Sequence, residues 1–177
     1  MKLTARLAVG CCLALLAGGQ AFAQSAERVA THTAWSVFVA SNPRECYIVS
    51  PPTESSARRD GSPVTVNRGD IRLFVTFRPG EGGTANEVSF TGGYPLREGS
   101  PVRLEVGSEA FTMSPGRADA QEWAWTDPSE DARAVAAMRR GANARVTANS
   151  TRGNTTVDTF SLSGFTAAIT DAEARCR

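Results

Sequence analysis

Short runs of β-branched and aromatic residues, separated by turn sequences, recur along most of this chain and limit its fold more than any other feature. Residues 71–77 show the pattern most clearly, because their apolar residues take alternate positions: Ile71, Leu73, Val75 and Phe77. This period of two is typical of a strand that packs one face on a core. About eight to ten such runs, with no regular alternation between strands and helices, predict an all-β sandwich.

One segment departs from this pattern and predicts an inserted helix at about 128–140. Asp127 is a suitable N-cap, Pro128 suits the first helical position, and Gly141 would end the helix. Acidic residues in the first turn and arginines in the last turn both complement the helix dipole. The tail at 166–176 fits either a last strand or a short helix.

The first 23 residues have the organisation of a secretory signal peptide. A basic start is followed by an apolar run at 7–19 and a small-x-small ending at Ala21-Phe22-Ala23, so cleavage is expected after Ala23. The apolar run is shorter than the roughly 20 residues that a spanning helix needs. We therefore expect an exported protein that does not span the membrane, located in the periplasm or at the cell surface. Polar residues 24–33 would form a flexible lead-in, and 34–177 a single domain.

The net charge and the number of cysteines limit which partners and which covalent bonds the protein can have. Without Lys2 and Arg6 of the signal, the 19 basic residues become 17 against 18 acidic ones, a formal net charge of −1. A nearly neutral chain gives no electrostatic argument for a nucleic-acid partner. Of the four cysteines, Cys46 and Cys176 remain after cleavage, and in an oxidising compartment they most simply form a disulfide. Two separate buried thiols are the alternative.

Nothing in the sequence carries a catalytic signature, so we expect no enzyme and no cofactor. His32 is the single histidine, no nucleophile has a base near it in sequence, and one histidine with two distant cysteines does not form a metal site. Carboxylates are numerous, so a carboxylate-based hydrolase stays open as a distant third possibility. Glu130 and Asp131 are better explained as charges in the first turn of the helix.

The best candidate for a binding surface is the segment 51–63, which is rich in Pro, Ser and Gly and has the composition of a long irregular loop. It places Arg58 and Arg59 beside Asp60. Arginine side chains suit carboxylate or phosphate groups on a partner, which could be another envelope protein or a small ligand. The alternative is that this loop is only a solvated connector.

Two further motifs invite a functional interpretation. Arg68-Gly69-Asp70 spells the tripeptide that integrins bind on exposed loops, but Gly-Asp is also ordinary turn chemistry, and we expect no role in adhesion. Trp123 and Trp125 should face the same side of a strand. They could form an aromatic platform for a ligand, although packing in the core or cover for a sheet edge is the favoured interpretation.

The order of these segments resembles the invasion-associated locus B family of bacterial envelope proteins. The resemblance rests on Trp35-Ser36-Val37 opening a strand, on Cys46, on the helix end from Met138 to Gly141, and on the stretch 162–168 (LSGFTAA). It implies an immunoglobulin-like β-sandwich in the periplasm or on the cell surface, with no known catalytic residues. It also implies an association with host-cell entry in some members.

The cysteines depart from the pattern of the family. Many members have one four residues after the tryptophan, where this chain has Val39, and a pair just before the helix, where this chain has 122–125 (EWAW). Two functions stay open: a non-catalytic envelope protein that acts by binding, or a host-facing adhesion or invasion factor.

Overall fold

The computed structural model describes residues 26–80 and 86–177, so the expected signal peptide lies outside the described residues. Within these residues, twelve strands form one hydrogen-bonded sheet in which every pairing is antiparallel, in the order β1-β2-β3-β6-β7-β10-β9-β8-β11-β12-β4-β5. The strands are β1 (Glu27–His32), β2 (Trp35–Ser41), β3 (Arg44–Ser50), β4 (Glu54–Arg59), β5 (Ser62–Pro63), β6 (Arg72–Phe77), β7 (Glu87–Thr91), β8 (Val102–Val106), β9 (Glu109–Pro115), β10 (Trp123–Thr126), β11 (Asn143–Asn149) and β12 (Thr155–Ser161).

The sheet curves until distant strands face each other across a common core. Phe90 of β7 and Phe160 of β12 are five places apart in the sheet order, yet their ring centroids lie 6.2 Å apart in an edge-to-face arrangement. Both side chains are fully buried. Leu73, Val75 and Phe77 are also buried, as the period of two predicts, while Ile71 just before β6 packs at the core margin. The expected all-β, sandwich-like fold is confirmed.

The predicted flexible lead-in is replaced over most of its length by β1. Glu27–His32 pairs with Trp35–Ser41 at one edge of the sheet, and the register is irregular between Arg28 and Ala30. The polar composition that suggested a loose segment is also normal for an edge strand, whose outward groups meet water.

The segment 51–63 is likewise not an irregular loop. Glu54–Arg59 forms β4, which pairs with β12, and a tight turn leads to β5 (Ser62–Pro63) at the other edge of the sheet. Within β4 only Ala57 is buried. Because β4 has only one buried apolar residue, its sequence does not show the alternation of apolar and polar residues that is typical of a strand. It becomes a strand through its hydrogen bonds to β12.

The predicted helix is confirmed as α1 (Pro128–Arg140). The Asp127 side chain accepts a hydrogen bond from the Ser129 backbone amide at 2.9 Å, and the Gly141 amide donates to the Ala137 carbonyl at 2.9 Å. These contacts satisfy groups that a helix end would otherwise leave unpaired.

The tail forms a second helix, α2 (Phe165–Cys176), so the described residues contain two α-helices where one was expected. It packs mainly on β2 and β3. Gly164 precedes it with φ of +87°, and a Cβ atom there would lie 2.0 Å from the His32 carbonyl oxygen. Only glycine combines this conformation with such a close approach.

The structure contains the expected disulfide between Cys46 and Cys176, with Cα atoms 5.8 Å apart. It joins the last turn of α2 to β3. At the other end of α2, the Phe165 ring meets Trp35 edge to face at 5.0 Å. The Trp35 indole also donates to the Ser161 carbonyl at 2.9 Å, so the tail is held to the sheet at both ends.

Neither helix in the described ranges has the length and apolar composition that would let it cross a membrane.

Candidate functional site

Arg68, the first residue of the Arg-Gly-Asp tripeptide, is buried in an ion pair. Its two terminal nitrogens donate to the two carboxylate oxygens of Asp158 on β12, each at 2.7 Å. Its Nε donates to the Gly92 carbonyl at 2.9 Å, and the guanidinium lies 4.9 Å from the Tyr94 ring centroid. The side chains of Arg68 and Asp158 are 7% and 0% exposed. This arrangement leaves Arg68 out of reach of a receptor.

The other two residues of the tripeptide also differ from an adhesive loop. The Gly69 amide donates to the Gly93 carbonyl at 2.8 Å, and a Cβ atom on Gly93 would lie 2.6 Å from the Gly69 carbonyl carbon. Asp70 alone is largely exposed, with Arg72 at 3.4 Å. The tripeptide is therefore part of a close backbone contact inside the fold.

A cavity of about 520 Å³ opens beside this ion pair, and we call it the polar pocket. Its walls come from the chain after β5, from the chain after β7, and from the β11–β12 turn. The residues that line it are Arg59, Thr65, Val66, Asn67, Arg68, Gly93, Tyr94, Pro95, Glu122, Ser150, Thr151, Arg152, Asn154 and Thr156.

Of the three residues proposed from the 51–63 segment, one lines this pocket. Arg59 donates from Nε to the Asn154 side-chain oxygen at 2.9 Å. Arg58 instead donates to the Gly61 carbonyl at 2.9 Å on the exposed side of the hairpin. Asp60 occupies the turn with φ of +51°. The structure thus separates Arg59 from its two neighbours and brings it near Arg68.

Three arginines and one glutamate line the polar pocket, and Asp158 balances the charge of Arg68. The two other arginines outnumber the glutamate, so the pocket favours an anionic ligand group. Tyr94 stays neutral at the floor, because burial raises its pKa, and a hydrogen bond with Thr156 at 2.5 Å and the nearby Arg68 charge only partly offset this. Arg152 is exposed, and no side-chain hydrogen bond or ion pair joins it to the described residues.

A second concave surface lies on the outer face of the sheet, and we call it the aromatic groove. It has a volume of about 480 Å³. The residues that line it are Glu45, Tyr47, Phe74, Thr76, Arg78, Glu87, Ser89, Asp119, Ala120, Trp123 and Trp125. The surface includes both tryptophans, for which core packing or cover for a sheet edge was the favoured expectation.

Trp123 and Trp125 belong to neither the core nor a sheet edge. Their strand, β10, lies between β7 and β9, and its core-facing residue is Ala124. The two indole rings are partly exposed on the opposite face, with centroids 6.1 Å apart. The period of two indicated their shared side, but which side faces solvent depends on how the sheet curves.

Three of the four charged residues that line the aromatic groove are paired with one another. Arg78 donates to Glu45 at 2.6 Å and to Glu87 at 2.9 Å. Burial raises the pKa of Tyr47, and the negative charge of Glu45 raises it further, so Tyr47 stays neutral. The groove is therefore an aromatic surface bordered by a fixed ionic network.

The titratable residues considered for catalysis have structural partners. His32 lies 3.0 Å from Asp171 of α2, where hydrogen bonds from His32 and then Arg175 lower the aspartate pKa. Glu130 pairs with Arg133 on the surface of α1. Within the described part of the chain, no group of three or more His, Cys, Asp or Glu residues could hold a metal ion.

Asp131 differs from the simple first-turn charge that the sequence suggested. It is buried, and its carboxylate accepts a hydrogen bond from the Val88 amide at 3.0 Å and another from the Thr126 hydroxyl. Burial raises its pKa, which these hydrogen bonds partly offset. Asp131 therefore joins α1 to β7 and β10.

Several pocket residues had no local signal in the sequence. Tyr94 and Thr156 are brought together from positions 62 residues apart, and Arg68 and Asp158 from positions 90 residues apart. For the groove a signal existed, since alternation in 71–77 places Phe74 on the face opposite to the core.

Comparisons with known proteins agree with the resemblance seen in the sequence. The chain is similar to the crystal structure of invasion associated protein B from Bartonella henselae, with a TM-score of 0.56 and 17% identity, over 85% of this chain and 97% of that one. At this identity the likeness concerns the fold alone. No curated protein matches the sequence. The family model for Invasion associated locus B (IalB) protein matches residues 61–173, well over half of the 177 residues. The chain belongs to the invasion-associated locus B family, which is not a known enzyme family.

Proposed function

We propose that this protein is an exported, non-catalytic envelope protein that binds a carboxylate- or phosphate-bearing group of a partner through the polar pocket. Family membership and the signal-like first 23 residues support export. The partner is an envelope protein or a small ligand. It is not a nucleic acid, since the expected mature chain has almost no net charge.

The arrangement of the polar pocket supports this function most directly. The pocket has a rigid floor, and positively charged side chains at its rim are available to a ligand. The Arg68–Asp158 ion pair and Tyr94 form a buried, hydrogen-bonded base. Above it, Arg59 uses its Nε for Asn154 and keeps its terminal nitrogens for a ligand, while Arg152 lies on the adjacent turn. Guanidinium groups bind carboxylates and phosphates with two parallel hydrogen bonds.

The proposal assigns different roles to the residues of the 58–60 turn. Arg59 binds the ligand, whereas Arg58 and Asp60 do not line the polar pocket and take no part in binding. Shortening 53–60 would be a poor test, because it would remove β4 from the sheet. Single side-chain changes are preferable, since both Arg58 and Arg59 are exposed.

The test combines Arg59→Ala with Arg152→Ala and compares crosslinked partners in living cells by mass spectrometry. Arg58→Ala is the matched control, since it removes one exposed arginine from the same strand without touching the pocket. We expect the double variant to lose partners that the control retains. If both keep the same partners, the polar pocket is not the binding site.

A second candidate, a host-facing adhesion or invasion factor, is favoured by the name of the structural relative, invasion associated protein B. The two functions differ in whether the protein is exposed on the outside of the cell. Labelling intact cells with a membrane-impermeant reagent should modify a host-facing protein and leave a periplasmic one unmodified. Turnover of a substrate by the purified protein, abolished by Asp or Glu substitutions, would contradict the non-catalytic assignment.

A further inference from the structure

The aromatic groove is separate from the polar pocket and is built from different strands. Side chains of β3, β6 and β10 line it, with Tyr47 and Phe74 at 6.0 Å and Phe74 and Trp123 at 5.1 Å between ring centroids. Trp125 continues the row at 6.1 Å from Trp123. These four partly exposed aromatic side chains form one continuous row across the outer face of the sheet.

The floor of the groove explains how this row stays open. Strand β7 runs between β6 and β10, and there Ser89 lies opposite both Phe74 and Trp125. Ser89 is small and 4% exposed, so it leaves a depression between the larger rings. A large residue at this position would fill the space. The groove is thus a built feature of the sheet, and it presents more clustered aromatic surface than a solvated face requires.

The charges around the groove limit what it can bind. Three carboxylates and one arginine line it, so an anionic ligand such as a phosphate or an acidic glycan would be repelled. Arg78 holds Glu45 and Glu87 in place, yet a carboxylate has about four acceptor sites and each keeps some for a ligand. Hydroxyl groups are matched donors for these oxygens, and they carry no charge that Arg78 would oppose.

We propose that the aromatic groove binds an uncharged, β-1,4-linked glycan. The chair faces of such pyranose rings are flat and carry C–H groups of slight positive charge, which are attracted to the negative face of an aromatic ring. The hydroxyl groups lie around the ring edge, where Glu45, Glu87 and Asp119 accept their hydrogen bonds. Neighbouring ring centroids along the row lie 5.1 to 6.1 Å apart, so a chain of several sugar units could contact more than one ring.

Tryptophan fluorescence provides a direct test, because two of the three tryptophans lie in the groove. Trp35 is fully buried in the core and acts as an internal reference. The folded protein is titrated with cellopentaose and, separately, with chitopentaose, and quenching by acrylamide is measured. Binding of either probe should protect Trp123 and Trp125 from the quencher.

Variants inside the groove and a control variant outside it show whether the glycan binds in the aromatic groove. Trp125→Leu keeps apolar bulk but removes the ring, and Trp123→Leu provides a second variant if the first does not fold. Either should weaken binding by about tenfold or more, as loss of one stacking partner does elsewhere. Phe38→Leu is the control, since Phe38 stacks on Tyr47 at 5.0 Å but does not line the groove, and binding should be unchanged.

Three results would overturn the proposal: no protection by either glycan, equal weakening in the Phe38 control and the tryptophan variants, or protection by tetramethylammonium and not by the glycans. The last would identify a cation site, since aromatic rings and carboxylates also attract cations. Circular dichroism of each variant confirms that it is folded before titration.

Discussion

Replacing Arg68 by methionine would leave the Asp158 carboxylate buried without its counter-charge. Asp158 is fully buried, and both of its oxygens accept hydrogen bonds from Arg68 at 2.7 Å. Breaking a buried pair from one side costs about 3–5 kcal/mol. Two charge-assisted hydrogen bonds at roughly 1.5–3 kcal/mol each give about 3–6 kcal/mol, which overlaps this range. For a domain of this size the melting temperature should fall by roughly 6–20 °C.

The measurement is thermal and urea unfolding of the Arg68→Met variant, followed by circular dichroism. Arg72→Met is the matched control, because Arg72 is more exposed and its ion pair with the exposed Asp70 spans 3.4 Å. We expect the control to cost less than about 1 kcal/mol.

A double variant separates the loss of the pair from the loss of packing. Arg68→Met with Asp158→Leu removes both charges, and apolar replacement of a whole buried pair is often neutral. We therefore expect the double variant to regain at least half of the stability lost in Arg68→Met. Two results would contradict this prediction. Arg68→Met could destabilise the protein no more than the Arg72 control does, or the stability losses of Arg68→Met and Asp158→Leu could simply add in the double variant.

Three other predictions follow from the fold. Cys46→Ser should cost about 2–5 kcal/mol of stability, since the bond to Cys176 closes a long loop, as thermal unfolding would measure. Asp70→Glu should leave any cell binding unchanged in an adhesion assay, because Arg68 of the same tripeptide is buried. In the Asp171→Asn variant, the free energy of unfolding should fall less between pH 7 and pH 2 than in the unchanged protein, as urea unfolding would measure. The folded-state pKa of Asp171 is lowered first by His32, so its contribution is present above the ordinary carboxylate pKa of about 4 and is lost as the pH falls through the lowered value.

Each of these predictions has a result that contradicts it. Peptide mapping without reductant should find the Cys46 and Cys176 peptides linked, and two free thiols in the native protein would be incompatible with the fold. A specific loss of adhesion in a folded Asp70→Glu variant would restore the tripeptide as a receptor site. An acid transition of unchanged slope in Asp171→Asn would show that other carboxylates control it.

Local patterns were sufficient for much of the fold. Alternation identified β6, and the capping residue, the proline and the terminal glycine bounded α1, because these signals act within one turn or one strand. The two cysteines that follow the predicted signal peptide were enough to indicate the Cys46–Cys176 bond. Residues of α2 also carry a helical spacing on their buried face, at Phe165, Ala168, Ile169, Ala172 and Cys176. This spacing favours a helix for the tail over the strand that its composition also allows.

Tertiary structure alone decided the rest. Glu54–Arg59 has the composition of a loop and becomes a strand because β12 offers it hydrogen bonds. Arg68 belongs to a tripeptide that is exposed in adhesive proteins, and it is buried here because Asp158 arrives from 90 residues away. The period of two places Trp123 and Trp125 on one side, but the curvature of the sheet determines whether that side meets core or water. Pairing over long sequence distances and the direction of curvature depend on the whole chain, so no local pattern contains them.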